Sequence, residues 1–245
     1  MRKYISDASD YEMLESLYEN KKEGSSLCLF NVTMQNHSSY DDTDYTFENP
    51  VKLTSMTLQP EAEQYLSLIK MSADALKELI TYFEKVKEPV IIVLFGDHQP
   101  HLPDYFYKNV MGEMPDDLSQ KDAMKRYQVP FMIWANYDIQ AAEIPQISIN
   151  YLSTLMTETA GLKLTDYQKF LLDMYQYIPS ITANGFYDRQ GNLYSWDDLD
   201  EADAELQEWI KEYRILQYNY LFDEEHRKDA HYQLKEKMIW GKKET

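Results

Sequence analysis

The sequence predicts an α/β protein, an α/β/α sandwich with a mainly parallel sheet, followed by a region of helices and a β-hairpin. Two apolar runs, residues 27–33 and 90–95, have the continuous hydrophobic character of strands buried on both faces. Between them, residues 60–87 carry apolar side chains at helical spacing, and Pro60 suits the first turn of a helix. A strand, a helix and a second strand in this order predict a crossover that joins parallel strands.

The remaining elements follow from local patterns. A third strand is predicted at residues 129–135, after an acidic insert. Further along, helices are predicted at about 147–160 and 165–177, and a hairpin at 186–194 with Gly191 in its turn. We therefore divide the chain into an α/β domain at residues 1–145, a helical and hairpin subdomain at 146–223, and a charged tail at 224–245.

The composition restricts the partners and the compartment. The chain of 245 residues has 24 basic and 42 acidic residues, a net charge of −18, which repels nucleic acid and anionic membrane surfaces. No membrane-spanning run and no signal peptide are predicted, so we expect this chain to be soluble. Cys28, the single cysteine, excludes an intramolecular disulfide and is predicted to be a buried core residue.

Polar residues follow the first two predicted strands, at the sheet edge where α/β proteins bind ligands. Asp97 and His98 offer a carboxylate and an imidazole, which suit Mn²⁺ or Zn²⁺, and Gly96 permits close approach of the backbone. The alternative is that Asp97 caps a loop and His98 is a polar strand end; His101 is predicted to be a loop histidine. His37 lies among hydroxyl and amide donors that suit phosphate or sulfate oxygens, or that form an ordinary polar loop.

Five segments of the chain are distinctive as a set. They are FNVTMQNHSSY (30–40), VLFGDHQP (93–100), VPFMIW (129–134), YLSTLM (151–156) and NGFY (184–187). In this order they resemble the lipoteichoic acid synthase, or phosphoglycerol transferase, branch of the sulfatase and alkaline phosphatase superfamily. The resemblance extends from about residue 5 to about residue 223.

This resemblance implies a metal-dependent transferase that acts on phosphatidylglycerol-type donors in the synthesis of cell-envelope polymers. By the motif match, Asp97 and His98 correspond to two ligands of Mn²⁺, or of another divalent ion such as Mg²⁺ or Zn²⁺, and His37 to a histidine that contacts the substrate. The expected partner is a phosphoglycerol lipid headgroup or another phosphate or sulfate ester. The parent protein is expected to be membrane-anchored, with its catalytic domain outside the cytoplasm.

The chain departs from the family pattern at its beginning. In the family, the first acidic metal ligand and the nucleophilic threonine lie well upstream of the segment that contains His37, so no catalytic nucleophile is assigned here. Residues 1–145 then correspond to the C-terminal half of the catalytic domain. We expect weak metal binding, no activity of this chain alone, and self-association through an exposed sheet. Two alternatives stay open: a sulfate or phosphate ester hydrolase of the superfamily, and a non-catalytic binding fragment of this fold.

Overall fold

The computed structural model describes residues 3–44, 46–48, 50–55, 59–223 and 225–227. The chain divides into two compact units, unit one at residues 1–137 and unit two at residues 138–245. Each unit has hydrophobic clusters of its own. The predicted domain boundary at 145/146 lies slightly further along the chain. The predicted tail at 224–245 lies outside the described residues, except for residues 225–227.

In its described residues, unit one combines four α-helices with two strands, which confirms the α/β class. The side chain of Ser6 accepts a hydrogen bond from the backbone of Ser9 and so caps the first helix. The long second helix begins at Pro60, as predicted. Its apolar face packs Leu79 and Phe83 against Tyr11 of the first helix. The elements are α1 (Asp7–Glu19), α2 (Pro60–Phe83), β1 (Ile91–Phe95), α3 (Asp104–Met111), α4 (Gln120–Met124) and β2 (Phe131–Ala135).

The pairing of β1 and β2 corrects the predicted parallel arrangement. The two strands pair antiparallel, with Ile91 opposite Ala135 and Phe95 opposite Phe131. The predicted strand positions are right, but an apolar run does not encode strand direction. The chain between the two strands passes through α3 and α4 and returns to the end of β1 from which it left, so β2 runs back along β1.

Asn136 joins the other end of this strand pair to α2. Its Oδ1 accepts a hydrogen bond from the backbone of Val90 at 2.8 Å. Its Nδ2 contacts the carbonyl oxygens of Phe83, Val86 and Glu88 at 3.2, 3.0 and 2.9 Å. These contacts satisfy carbonyl groups at the end of α2 and in the residues that follow it, and α2 ends at Phe83, before the predicted residue 87.

Residues 27–33 form an extended segment but not the predicted buried strand. Phe30 is 82% exposed, Val32 is 64% exposed, and Cys28 is exposed as well, so its predicted core position is wrong. Among the described residues, no strand pairs with this segment. Side chains attach it to α1 instead, since the Asn31 amide donates to Asp10. An apolar run becomes a buried strand only where other strands flank it.

The described residues of unit two form three α-helices and a three-stranded antiparallel sheet around a hydrophobic core. A capping box formed by Thr165 and Gln168 begins the second of its helices. The predicted hairpin is confirmed, and Gly191 adopts a positive φ of 83° in the turn. In the part of the chain that the structure describes, no helix is long and apolar enough to cross a membrane. The elements are α5 (Ile149–Thr159), α6 (Asp166–Tyr175), β3 (Ser180–Thr182), β4 (Gly185–Tyr187), β5 (Leu193–Ser195) and α7 (Ala204–Leu221).

Candidate functional site

The loop that carries Asp97 and His98 begins directly after β1 and is attached to the chain before β2. The backbone of Gly96 donates to the carbonyl of Pro130 at 3.1 Å, and the Gln99 amide donates to the carbonyl of Gln128. A Cβ atom at position 96 would lie only 2.9 Å from the Cβ of Val129. The close approach predicted for Gly96 is therefore real, and it is made to the residues that lead into β2.

The far end of this loop is held by α3. The hydroxyl of Tyr107 donates to the carbonyl of Pro100, and the Arg126 guanidinium lies 4.9 Å from the centre of the Tyr107 ring. Burial raises the pKa of Tyr107, and the positive charge of Arg126 partly offsets this effect. Tyr107 therefore keeps its proton and its role as a donor at neutral pH.

Hydrogen bonds orient the ring of His98. Its Nδ1 lies 2.8 Å from the carbonyl oxygen of Gln99, an acceptor only, so Nδ1 carries a proton and donates. In the neutral ring, the lone pair is then on Nε2. The backbone N–H of His98 donates to Oδ1 of Asp97 at 2.9 Å, which holds that carboxylate beside the ring. A carbonyl partner for one ring nitrogen is the usual arrangement when the other nitrogen binds a metal.

The two side chains present their donor atoms together. Nε2 of His98 and Oδ2 of Asp97 are 3.4 Å apart. Two ligands of one tetrahedral ion, each at about 2.1 Å from it, would be separated by about 3.4 Å. Both side chains are open to solvent, with 72% of His98 and 78% of Asp97 exposed. The pair therefore fits two positions of a divalent ion, and it equally fits the ion pair of a protonated histidine.

The pair has no third protein ligand in the described ranges. No group of three or more His, Cys, Asp or Glu side chains there is arranged to hold a metal. His101 is exposed in the loop before α3, where the sequence predicted a loop histidine. Asp97 and His98 therefore supply at most two ligands from these residues, and the expectation of weak metal binding stays a prediction.

His37 belongs to the same unit and lies at the surface of its own loop. Its Nδ1 lies 2.8 Å from the carbonyl oxygen of Ser38 and 3.1 Å from the Tyr4 hydroxyl. The Tyr4 and His37 rings are in contact, with centroids 5.1 Å apart. These contacts hold the ring by its Nδ1 side. If His37 contacts a phosphate bound to an ion at Asp97, the His37 ring is expected within about 10 Å of the Asp97 carboxylate, and this distance stays a prediction.

A buried polar network supports the His37 loop, and the sequence analysis did not identify it. The Gln35 side chain accepts from the backbone of Asp7 at 3.1 Å and donates to the Leu68 carbonyl and the Ser72 hydroxyl at 3.2 and 2.9 Å. The Asn36 amide also donates to Ser72, at 2.8 Å. The loop is thus attached to both α1 and α2. In the sequence, the signal for this contact is that Ser72 interrupts the apolar periodicity of α2.

Three known protein families or proteins are similar to this chain in sequence. The sulfatase family model matches residues 2–162 of the chain. The sequence is 28% identical over 203 residues to a Rhizobium meliloti (strain 1021) protein whose name assigns it provisionally to cyclic β-1,2-glucan modification, covering 79% of this chain and 31% of that protein. It is 31% identical over 103 residues to the capsular polysaccharide biosynthesis protein RkpI of the same strain, covering 42% of this chain and 17% of that protein.

A solved structure has the same fold. The Streptococcus pyogenes phosphoglycerol transferase GacH, in complex with sn-glycerol-1-phosphate, superimposes with a TM-score of 0.63 at 18% sequence identity. The match covers 87% of this chain and 48% of GacH. The chain thus spans about a third of the first relative and about half of this structure.

Proposed function

Because this chain belongs to the sulfatase family, we propose that it forms part of a divalent-metal-dependent enzyme that transfers phosphoglycerol to a cell-envelope polysaccharide. The fold of the phosphoglycerol transferase GacH and the two polysaccharide-related relatives support this choice. The donor we propose is a phosphatidylglycerol-type lipid. We further propose that the whole protein is membrane-anchored and acts outside the cytoplasm.

The arrangement of Asp97 and His98 carries this proposal. Proteins of this fold family generally use divalent metal ions. Here a carboxylate oxygen and an imidazole nitrogen lie 3.4 Å apart, immediately after a strand. We propose that these two side chains hold Mn²⁺, or Mg²⁺ or Zn²⁺ in its place. Such an ion supplies positive charge that offsets the charge of a phosphoryl group in an acidic protein.

His37 is the residue that we propose for contact with the substrate. The Ser38 carbonyl and Tyr4 hold the Nδ1 side of its ring, so the ring presents a defined orientation to a phosphate or sulfate ester. The polar network beneath the loop anchors this position to α1 and α2. Hydrolysis of a sulfate or phosphate ester is the second candidate, favoured by the sulfatase family model itself. A non-catalytic binding role would need neither the ion nor turnover.

Metal binding by matched variants tests the proposal. Mn²⁺ is titrated into the purified chain and free Mn²⁺ is followed by electron paramagnetic resonance. We expect weak but measurable binding, reduced about tenfold or more by Asp97→Asn or His98→Gln, because each removes one of two donors. His101→Gln is the control, since His101 is an exposed histidine of the same loop that lies outside the pair.

Two outcomes would count against this function. Equal Mn²⁺ affinity of the wild type and Asp97→Asn would mean that Asp97 only caps its loop. An effect of His101→Gln as large as that of His98→Gln would mean that the ion binds the loop without specificity. We also propose that the chain alone does not turn over phosphodiesters or sulfate esters. Turnover that Asp97→Asn abolishes would overturn that statement and favour the hydrolase.

A further inference from the structure

Unit two contains a cleft of about 500 Å³ that lies apart from the Asp97 and His98 loop in the sequence. This size is within the range of small-molecule sites. Its apolar lining includes Ile181, Ile210 and Trp196, and its polar lining includes Asn150, Arg214 and Gln217. None of the lining residues is acidic, although the chain has 42 acidic residues. Arg214 is the one charged residue among those that line the cleft.

Arg214 supplies this positive charge, and its position is fixed by an aromatic stack. Its guanidinium lies 4.8 Å from the centre of the Trp196 ring. Trp196 is held in turn by a hydrogen bond from its Nε1 to the Thr182 carbonyl at 3.0 Å, and by contact with Phe186 at 5.6 Å between ring centres. Trp196 therefore orients the guanidinium and does not offer a bare ring face to a ligand.

The N–H groups of the Arg214 guanidinium are available to bind a ligand. Within the described part of the chain, Arg214 makes no ion pair and no hydrogen bond, and its guanidinium carbon lies over the Trp196 ring. The planar edge, with its N–H groups, can bind the two oxygens of a carboxylate or a phosphate. The ligand group that suits this position is a single anion.

Amide groups lie on the same cleft. Asn150 Nδ2 is buried beside the hydroxyls of Tyr151 and Tyr213 and has no partner in hydrogen-bonding geometry, whereas its Oδ1 accepts a hydrogen bond from Ser148. Gln217 adds a second amide, one turn of α7 beyond Arg214. Amide donors and acceptors suit hydroxyl groups, and the isoleucine side chains suit the C–H faces between such hydroxyls.

We propose that this cleft binds a sugar or polyol that carries one anionic group, a phosphate or a carboxylate. The anion lies against Arg214, the hydroxyls against Asn150 and Gln217, and the carbon skeleton against Ile181 and Ile210. All residues that line this cleft belong to unit two, whereas Asp97 and His98 belong to unit one. Binding in this cleft does not depend on phosphoglycerol transfer, because Asp97 and His98 take no part in it.

Binding by the full chain tests this proposal. Glucose 6-phosphate, glucuronate and glucose are titrated in buffer with EDTA, and binding is followed by ligand-observed NMR. We expect the two anions to bind and glucose to bind at least about tenfold more weakly, since charge-assisted hydrogen bonds supply the difference. The two anions show whether phosphate or carboxylate is preferred. Arg214→Gln should weaken binding of both anions about 10- to 100-fold and leave glucose unchanged.

Arg189→Gln is the matched control, because Arg189 is an exposed arginine of the same unit outside the cleft. It should leave all three affinities unchanged. Arg214→Lys, which keeps the charge but loses the planar fork, should give an intermediate loss. Arg214 is exposed and its guanidinium stacks on Trp196, so circular dichroism should report folded variants. The proposal would be overturned if neither anion bound, or if Arg214→Gln and Arg189→Gln lost anion affinity equally.

Discussion

Asp7 is a carboxylate in a place where folding makes its ionisation costly. It is only 2% exposed, and its Oδ1 is buried without a hydrogen-bond partner in the described structure. Burial raises the pKa of Asp7 above its ordinary value, and the nearby charge of Asp10 adds to this rise. Hydrogen bonds from Ser72 and Thr33 act in the opposite direction and do not cancel it. This single group therefore couples the packing of α1 to pH.

We predict that Asp7→Asn changes how the stability of the protein depends on pH. The folded pKa of Asp7 lies above its unfolded value of about 3.8, so the folded state binds more protons between those two values. Stability of the wild type should fall as pH rises through that window, and Asp7→Asn should lack this fall. The free energy of unfolding in urea, measured at pH 4 and pH 7, should favour the variant more strongly at pH 7.

Glu12→Gln is the control for Asp7→Asn, because Glu12 is an exposed carboxylate of the same helix. Its stability relative to the wild type should change little between the two pH values. A variant of Asp7 that is less stable than the wild type at pH 7 would indicate that the hydrogen bonds of the carboxylate outweigh the cost of burying it.

At the scale of elements, the antiparallel pair β1 and β2 positions the candidate metal pair. Asn136 joins one end of this pair to α2. At the other end, Gly96 lies against Val129, so the loop with Asp97 starts directly beside the chain that enters β2. The orientation of the loop thus depends on contacts between residues far apart in sequence.

The element-scale prediction is that Gly96→Ala destabilises unit one. The new Cβ would lie 2.9 Å from the Cβ of Val129, a distance that forces one strand end to move. Such overpacking costs about 1–3 kcal/mol. The cost should be much smaller in a Val129→Gly background, where the opposing side chain is gone. Urea unfolding of the four proteins of this double-mutant cycle gives the coupling, expected at about 1 kcal/mol or more. Strictly additive effects would contradict the close contact.

At the scale of the whole molecule, the charge of −18 favours cations and opposes anions. A divalent ion is attracted to such a protein from a distance. An anionic ligand needs a local positive group, and in unit two Arg214 is placed to supply it. Exclusion of nucleic acid as a partner follows from the same field and stays a prediction. Self-association through an exposed sheet also stays a prediction.

The whole-molecule prediction concerns salt. Raising NaCl from 0.01 to 0.15 M shortens the Debye length from about 30 to about 8 Å and screens the attraction of the acidic surface. The dissociation constant for Mn²⁺ should therefore rise, by roughly threefold to tenfold. Potassium sulfate at equal ionic strength should give the same change and so exclude an effect of chloride. An affinity independent of salt would mean that only contact ligands hold the ion.

Local patterns in the sequence were sufficient for much of the fold. The helical spacing after Pro60 predicted α2, and the pattern at 186–194 predicted the hairpin. The apolar runs at 90–95 and 129–135 predicted the positions of β1 and β2. Asp97 and His98 were identified because both follow one of these strands directly. Helical periodicity, turns and helix caps depend on a few neighbouring residues, so they can be predicted from a single sequence.

Tertiary structure decided the rest, because contacts between distant residues depend on the path of the chain and not on its local pattern. It paired β1 with β2 antiparallel and left residues 27–33 exposed, although their apolar run is as continuous as that of β1. It also placed Arg214 on Trp196. Whether a segment is buried and paired depends on which other segments the fold places beside it. The hydrophobicity of the segment does not identify those other segments.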